Sequence, residues 1–185
     1  MITSSPKLPV AQAALAYRRR LGIPVPIPKR SKAPVLKRGE TLRPSLAEVR
    51  RLFSGGEPTA GNVGILLGEP SGGLIDIDLD SREALALAPA VLPPTPARFG
   101  RPSKPDSHWL YQCAPSDAPL PATRRFREGG RGGAGTSCLV ELRSSGAQTV
   151  FPPSTHPSGE TIAWVAGGAV LISAAGRGAA KWGPW

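Results

Sequence analysis

The sequence is poor in cysteine, aromatic residues and long apolar runs, and each shortage excludes a class of protein. Cys113 and Cys138 have no histidine or further cysteine at metal-ligand spacing beside them, which argues against a zinc site. They favour free thiols in a reducing compartment. No apolar run approaches the roughly 20 residues of a membrane-spanning helix, and the N-terminus lacks the apolar core of a signal peptide. We therefore expect a cytoplasmic protein.

Common nucleotide-binding signatures are also missing or misplaced. The chain has no G-x-x-x-x-G-K-[S/T], so it is not a P-loop NTPase. Its one G-x-G-x-x-G match, Gly130 to Gly135, does not follow a strand-like segment and is discounted. Acidic residues are outnumbered, with 13 Asp and Glu against 23 Lys and Arg and a net charge of +10. This excess favours a polyanionic partner: nucleic acid, a nucleotide or an anionic membrane surface.

The length and the hydrophobic content are those of one folded domain. The chain has 185 residues, 40% of them hydrophobic, although 22 Gly and 22 Pro residues imply long loops. Periodicity and capping residues predict helices over 10–21, 45–53 and 81–90. Strands are predicted over 62–67 and 74–80, which we expect to be neighbours, over 109–113, and in a hairpin joining 137–143 to 148–151. Residues 23–27, cut by prolines, form an edge strand at best. This order predicts an α+β fold with helices on one face of the sheet.

Residues 72–80 form the most distinctive segment, Gly-Gly-Leu-Ile-Asp-Ile-Asp-Leu-Asp, in which aliphatic residues alternate with carboxylates. A period of two is that of a β-strand with two unlike faces. Asp76, Asp78 and Asp80 would project from one face, with neighbouring carboxylates ~6–7 Å apart. Three like charges repel unless a hard divalent cation such as Mg²⁺ or Mn²⁺ neutralises them. The plainer alternative is a solvated edge strand whose polar face is acidic.

A second group of residues could complete a site around these acids. Glu141 lies in the middle of a predicted strand, although an outward-facing pair with Arg143 is locally the simpler interpretation. His108 begins a strand and follows Arg101 and Lys104. Together, the carboxylates could hold two divalent ions while the three basic side chains supply positive charge to a triphosphate.

Short segments occur in a characteristic order along most of the chain: Ala14-Leu15-Ala16-Tyr17, Ser31-Lys32-Ala33-Pro34, Gly61-Asn62-Val63-Gly64-Ile65, Ser71-Gly72-Gly73-Leu74, the Asp-x-Asp strand, Arg98-Phe99-Gly100-Arg101-Pro102, His108-Trp109-Leu110-Tyr111, Val140-Glu141-Leu142-Arg143 and the proline-rich turn over 152–159, closing at Trp164. This series, over about residues 13–164, resembles the bifunctional primase–polymerase domain of the archaeo-eukaryotic primase superfamily. Such domains are common in replication proteins of phages, plasmids and integrated elements.

The resemblance implies an RRM-like catalytic sheet with helices packed on it and a small N-terminal α/β appendage. It implies template-directed nucleotidyl transfer by a DNA primase or DNA polymerase that uses Mg²⁺ or Mn²⁺. The implied catalytic residues and metal ligands are Asp76, Asp78, Asp80 and Glu141. The implied nucleotide-binding residues are His108, Arg101, Lys104, Ser107, Arg143 and His156, the last in a turn expected at the surface.

The register of the acidic strand stays open at the sequence level. If residues are counted from Gly73, the two aspartates of the family's Asp-x-Asp motif are Asp78 and Asp80. The motif's alternation of hydrophobic residues and aspartates is instead first met by Asp76 and Asp78. Asp78 is common to both. The family's small-x-His motif reads Asp106-Ser107-His108 here, with an acid where a small residue is expected.

A single domain is expected over 1–185, with the appendage over about 10–60, the catalytic sheet over about 61–166 and a flexible tail over 167–185. The implied partners are a single-stranded DNA template, NTP or dNTP, and a replicative helicase, with no membrane partner. The alternative is a non-catalytic nucleic-acid-binding module on the same fold, which would keep Arg124, Arg125, Arg127 and Arg131. A metal-dependent nuclease using the same carboxylates is a third possibility.

Overall fold

The computed structural model describes residues 9–33, 42–55, 60–113, 119–129, 137–165 and 180–182. In these ranges the chain forms helices α1 (Val10–Arg20), α2 (Leu46–Ser54) and α3 (Arg82–Val91). The strands are β1 (Ile23–Ile27), β2 (Asn62–Leu66), β3 (Leu74–Leu79), β4 (Arg98–Arg101), β5 (Lys104–Cys113), β6 (Arg124–Arg127), β7 (Cys138–Arg143), β8 (Gln148–Phe151), β9 (Ala163–Trp164) and β10 (Ala180–Trp182). The predicted α+β class is confirmed, while the RRM-like character of the sheet stays a prediction. None of the described helices is both long and apolar enough to cross a membrane.

Helices α2 and α3 begin where their capping residues predict. The Ser45 hydroxyl accepts a hydrogen bond from the Glu48 backbone N–H at 3.3 Å, and the Glu48 carboxylate accepts one from the Ser45 N–H at 2.8 Å. This reciprocal capping box satisfies two backbone donors at the start of α2. At α3, the Ser81 hydroxyl accepts from the Ala84 N–H at 3.0 Å. Local hydrogen bonding therefore sets both helix starts.

The described strands form two sheets. The larger has the order β6-β7-β3-β5-β4-β9, antiparallel throughout, with β10 added in parallel beside the end of β5. The smaller has the order β1-β2-β8. It pairs β1, from the predicted appendage over about 10–60, with β2 and β8, which lie beyond residue 60. The division of the chain into an appendage and a catalytic sheet stays a prediction. Most of the predicted tail over 167–185 lies outside the described residues. The part of this tail that is described, Ala180–Trp182, forms β10.

Two predicted strand pairings are wrong. β2 and β3 were expected to be neighbours, yet they lie in different sheets, as do β7 and β8, which were expected to form a hairpin. Between β2 and β3 the chain turns at Gly68, whose φ of +73° favours glycine. A Cβ there would approach the Ser145 backbone N to 2.3 Å, in the β7–β8 connection. The two connections thus pack against each other where the chain passes between the sheets.

The two faces of the large sheet pack differently. Ile75, Ile77 and Leu79 of β3 face α3, together with Trp109 and Tyr111 of β5. The alternate residues of the same strands face the small sheet, where Leu74 and Leu110 join a core that also includes residues of α1, α2, β2 and β8. Because side chains alternate along a strand, Asp76, Asp78 and His108 lie on this second face, between the two sheets.

Tyr17 joins the N-terminal helix to the C-terminal part of the domain. Its ring is 1% exposed, and its hydroxyl donates to the Pro152 carbonyl at 2.5 Å. The same oxygen accepts from the Trp164 indole N–H at 3.2 Å. The Tyr17 hydroxyl is therefore the hydrogen-bond partner of two groups that lie far from Tyr17 in the sequence.

We predict that Tyr17→Phe lowers the free energy of unfolding by ~1–3 kcal/mol, because it leaves a carbonyl and an indole N–H without their buried partner. Chemical denaturation monitored by circular dichroism measures the change. The exposed Gln12 on the same helix supplies the control, since Gln12→Ala should change stability by less than ~0.5 kcal/mol. Equal stabilities for Tyr17→Phe and the wild type would contradict the assigned role of the hydroxyl.

Candidate active site

Three neighbouring strands bring the candidate site residues side by side. β3 lies between β5 and β7, and the register places Asp78 opposite His108 on one side and opposite Glu141 on the other. Directly opposed residues of an antiparallel pair have Cβ atoms ~4.5–5.5 Å apart. Groups separated by more than sixty residues of sequence therefore meet on one face of the sheet.

Asp78 lies at the centre of this group and is 4% exposed. Its Oδ2 contacts Arg143 Nη2 at 2.7 Å, and its Oδ1 lies 3.6 Å from Lys104 Nζ. Within the described part of the chain, Oδ1 is buried without a hydrogen bond. Burial and the neighbouring Asp76 raise the pKa of Asp78 above its ordinary value, against the opposing effect of His108 and Arg143.

Asp78, Asp80 and Glu141 together form a candidate metal site. Each offers one carboxylate oxygen, and these oxygens all lie within 4.8 Å of one another. Asp80 follows the end of β3, and Lys104 Nζ contacts its Oδ1 at 2.5 Å. Burial acts to raise the pKa of Asp80, but the hydrogen bond and charge of Lys104 outweigh it, so this pKa lies below its ordinary value. Hard oxygen ligands of this kind suit Mg²⁺ or Mn²⁺.

Glu141 makes the predicted pair with Arg143 but does not face outward. Arg143 Nε contacts Glu141 Oε2 at 2.8 Å, and Arg125 Nε contacts Oε1 at 2.8 Å. The residue is 5% exposed, because its strand lies next to β3 rather than at the sheet edge. The expectation of an outward-facing charge, the simpler interpretation from sequence, is therefore wrong.

Asp76 occupies a different environment from the other two aspartates. It is fully buried, its Oδ2 accepts from the Thr149 hydroxyl at 2.7 Å, and His108 Nδ1 lies 3.0 Å from the same oxygen. Burial acts to raise the pKa of Asp76, but His108, Arg143 and Thr149 outweigh it and hold the pKa below its ordinary value. Its carboxylate is not part of the group of three, so the role predicted for it as a metal ligand stays a prediction.

His108 is held from two sides. Its ring stacks on Phe99 with centroids 4.6 Å apart, and Nδ1 faces Asp76. Burial acts to lower the pKa of His108, but the charges of Asp76 and Asp78 outweigh it and raise the pKa above its ordinary value. The Asp76 contact uses Nδ1, which leaves Nε2 as the nitrogen that can meet a ligand.

A hydrogen-bond network around Glu160 holds Arg101, which lines the site. This carboxylate accepts from Arg101 Nη1 at 2.7 Å, from the Ser103 N–H at 2.7 Å and from the Ser158 hydroxyl at 2.8 Å. The hydroxyls of Ser103 and Ser158, the Ser103 N–H and Arg101 together lower the pKa of Glu160 to about 2. The Ser158 N–H donates to His156 Nδ1 at 3.1 Å, which leaves Nε2 of a neutral His156 as a donor. Burial, Lys32 and Arg101 lower the pKa of His156, consistent with the neutral form.

A cleft of about 470 Å³ lies between the two sheets, and most of the predicted site residues line it. Nine of the ten predicted site residues border it: Asp78, Asp80, Arg101, Lys104, Ser107, His108, Glu141, Arg143 and His156. Asp76 lies beneath the surface of the cleft. Arg131 and the Gly130-to-Gly135 segment lie outside the described residues.

Sequence reasoning missed Thr149 and Glu160. Thr149 comes from β8, and the erroneous hairpin placed this strand beside β7 instead of in the small sheet. Its alternation with Val150 could have shown that Thr149 lies on one face of a strand, but not which strand it would meet. Glu160 follows the proline-rich turn, and its role depends on Arg101 of β4 and on Ser103 in the turn between β4 and β5, which are distant from it in sequence.

The donor set fits a divalent ion. Three carboxylates converge, and one buried oxygen of Asp78 has no hydrogen bond among the described residues. Such an orphaned acceptor carries a desolvation cost that a cation would remove. Asp78, Asp80 and Glu141 are therefore the residues that would hold the ion.

Comparison with known proteins supports the same kind of chemistry. No curated protein matches the chain. Residues 14–177 match the family described as the N-terminal domain of the bifunctional DNA primase/polymerase. The match covers most of the 185 residues, including strands β1 to β9 and every residue of the cleft. This protein belongs to the bifunctional DNA primase/polymerase family.

Proposed function

We propose that this protein is a template-directed nucleotidyltransferase that makes or extends primers on single-stranded DNA, in the replication of a phage, plasmid or integrated element. The convergence of Asp78, Asp80 and Glu141 within 4.8 Å in a cation-lined cleft carries the proposal. The family membership supports primase/polymerase-type nucleotidyl transfer in general. In the proposed two-metal reaction, bound Mg²⁺ or Mn²⁺ would activate the primer 3′-hydroxyl and stabilise the pyrophosphate leaving group.

The balance of charge in the cleft favours a metal–nucleotide complex as the ligand. The four carboxylates are Asp76, Asp78, Asp80 and Glu141, and the permanent cations that contact three of them are Lys104, Arg125 and Arg143. An ion arriving alone would compete with these cations for the same oxygens. A triphosphate arriving with it offers the cations new partners, so that charge balance is kept.

The proposed roles of the remaining residues follow from their positions. Lys104 and Arg143 lie next to the carboxylates and would turn to the phosphates. His108, held by Asp76 and Phe99, presents Nε2 as a phosphate donor. Arg101, Ser107 and His156 line the same cleft and would bound the nucleotide pocket. Preorganised donors of this kind stabilise charge that develops during phosphoryl transfer.

One observation favours the alternative, a non-catalytic nucleic-acid-binding module. The carboxylates of the described site already contact basic side chains, so the fold does not require a metal ion for neutralisation. Under that alternative the cleft would bind no divalent ion. Metal binding therefore separates the two functions before any activity is measured.

We predict that the wild-type protein binds Mn²⁺ and that Asp78→Asn abolishes this binding, because the amide removes the central anionic ligand. Electron paramagnetic resonance of free Mn²⁺ measures the bound fraction. Asp106→Asn is the matched control: Asp106 does not line the cleft, and its φ of +56° is one that Asn tolerates. Equal Mn²⁺ binding by wild type and Asp78→Asn would rule out the assigned metal site.

Lys104→Met should shift metal and nucleotide binding in opposite directions. The substitution removes the cation that competes for Asp78 and Asp80, so affinity for Mn²⁺ alone should rise several-fold. It also removes a phosphate partner, so affinity for dNTP with Mn²⁺ should fall. Titrations with and without dNTP measure both, and Arg19→Met, at an exposed position of α1, controls for the loss of net charge. A loss of affinity for both ligands would argue against the competing role of Lys104.

Primer synthesis and extension on single-stranded DNA should require Mg²⁺ or Mn²⁺. Asp78→Asn should lower kcat at least ~100-fold, since metal-assisted charge stabilisation amounts to several kcal/mol. Gel analysis of labelled products gives the rates, with Asp106→Asn as the folded control. Metal-dependent degradation of the template without new product would instead indicate a nuclease.

A further inference from the structure

Strand β6 forms one edge of the large sheet and carries an unusual set of exposed side chains. Its sequence is Arg124-Arg125-Phe126-Arg127, and all four residues are exposed. Its neighbour in the sheet is β7, so one of its edges is not covered by a described strand. Charged side chains protect such an edge from pairing with other strands. A large aromatic ring in the same place does not serve that purpose.

Phe126 is the one aromatic residue among the large apolar side chains that the described ranges leave exposed. It is 48% exposed and belongs to none of the three buried clusters. The other exposed apolar side chains, Leu46, Leu87 and Val91, lie on helices. Phe126 alone stands between arginines. An exposed ring flanked by cations is the arrangement with which proteins bind single-stranded nucleic acid, by stacking a base and contacting its phosphates.

The strand also borders the cleft. Arg125 contacts Glu141 at 2.8 Å, so that its side chain reaches the carboxylate group. Thr123, just before β6, lines the same cleft, and its hydroxyl accepts from the Ser144 N–H at 3.0 Å. Because side chains alternate along the strand, Phe126 faces the opposite way from Arg125, around the edge of the sheet. Only the Arg125 side of β6 borders the site, so a nucleic-acid strand that follows the open edge of β6 would pass beside the cleft.

We propose that β6 is the docking strand for single-stranded nucleic acid, with a base stacked on Phe126 and phosphates held by Arg124 and Arg127. The three arginines of β6 make this surface positively charged, as suits a polyanionic partner, and the whole chain has a net charge of +10. The inference builds on the proposed function, because it names the strand along which the template would pass beside the cleft. Binding itself requires neither metal nor nucleotide.

Fluorescence anisotropy with a fluorescein-labelled oligothymidylate, without divalent ions, tests the proposal. Phe126→Ala should weaken binding by about tenfold, whereas Phe126→Trp should restore it, since any aromatic ring can stack. Leu87→Ala is the matched control, because it removes an exposed apolar side chain on α3 without a flanking arginine, and it should bind as the wild type does. Equal weakening by Leu87→Ala and Phe126→Ala would overturn the proposal in favour of a general apolar patch.

The arginines are tested through the salt dependence of the same binding. Replacing both Arg124 and Arg127 by Ala should reduce the log–log salt slope by about 1.4, roughly 0.7 for each lost phosphate contact. An unchanged slope would exclude them as phosphate ligands. Photocrosslinking with a thymidine analogue, followed by mass spectrometry, should place the crosslink at β6, and a crosslink confined to another element would overturn the proposal.

The outcome can be separated from that of the proposed function. Loss of binding in Phe126→Ala, together with a wild type that makes no product, supports the docking strand and contradicts the enzyme. Product formation by the wild type, together with undiminished binding by Phe126→Ala, supports the enzyme and overturns the docking strand.

Discussion

Balance of charge inside a largely buried cleft is the constraint on which the site depends. Asp76, Asp78 and Glu141 are each at most 5% exposed, and a buried carboxylate is tolerated only when it is paired or hydrogen-bonded. Arg143 contacts Asp78 through Nη2 and Glu141 through Nε. The planar guanidinium presents several donors in a rigid arrangement, so that one arginine binds both carboxylates at once. The pairing holds the carboxylates of β3 and β7 side by side in the absence of any ligand.

The small sheet contributes to the site as well as to the core. Thr149 of β8 donates to Asp76 of β3, so a hydrogen bond across the cleft joins the two sheets at their most buried acid. Tyr17 and Phe151 add an edge-to-face ring contact with centroids 5.5 Å apart, in the core that both sheets share. Because Asp76 also contacts His108 Nδ1, the small sheet is linked through Thr149 and Asp76 to the His108 ring.

Local sequence signals predicted the elements better than their partners. The capping box at Ser45 and Glu48 and the alternation over 74–80 act within a few residues, so both could be recognised in isolation. The Ser144-to-Gly146 segment does contain a turn, but a turn residue states only that the chain changes direction. In the fold, β7 has β6 and β3 as its neighbours, so β8 pairs with β2 in the other sheet. That choice belongs to the whole fold.

The sequence by itself determined that Asp76 and Asp78 lie on one face of a strand, because a period of two leaves no other arrangement for alternating side chains. Asp80 continues the pattern just past the end of β3. The sequence also carried the ordered motifs of the primase–polymerase family, now matched over residues 14–177. The tertiary structure decided how the three acids differ. Asp76 meets Thr149 and His108, whereas Asp78 and Asp80 meet Lys104 and approach Glu141. These partners come from β5, β7 and β8, and only the register between strands brings their side chains within contact distance.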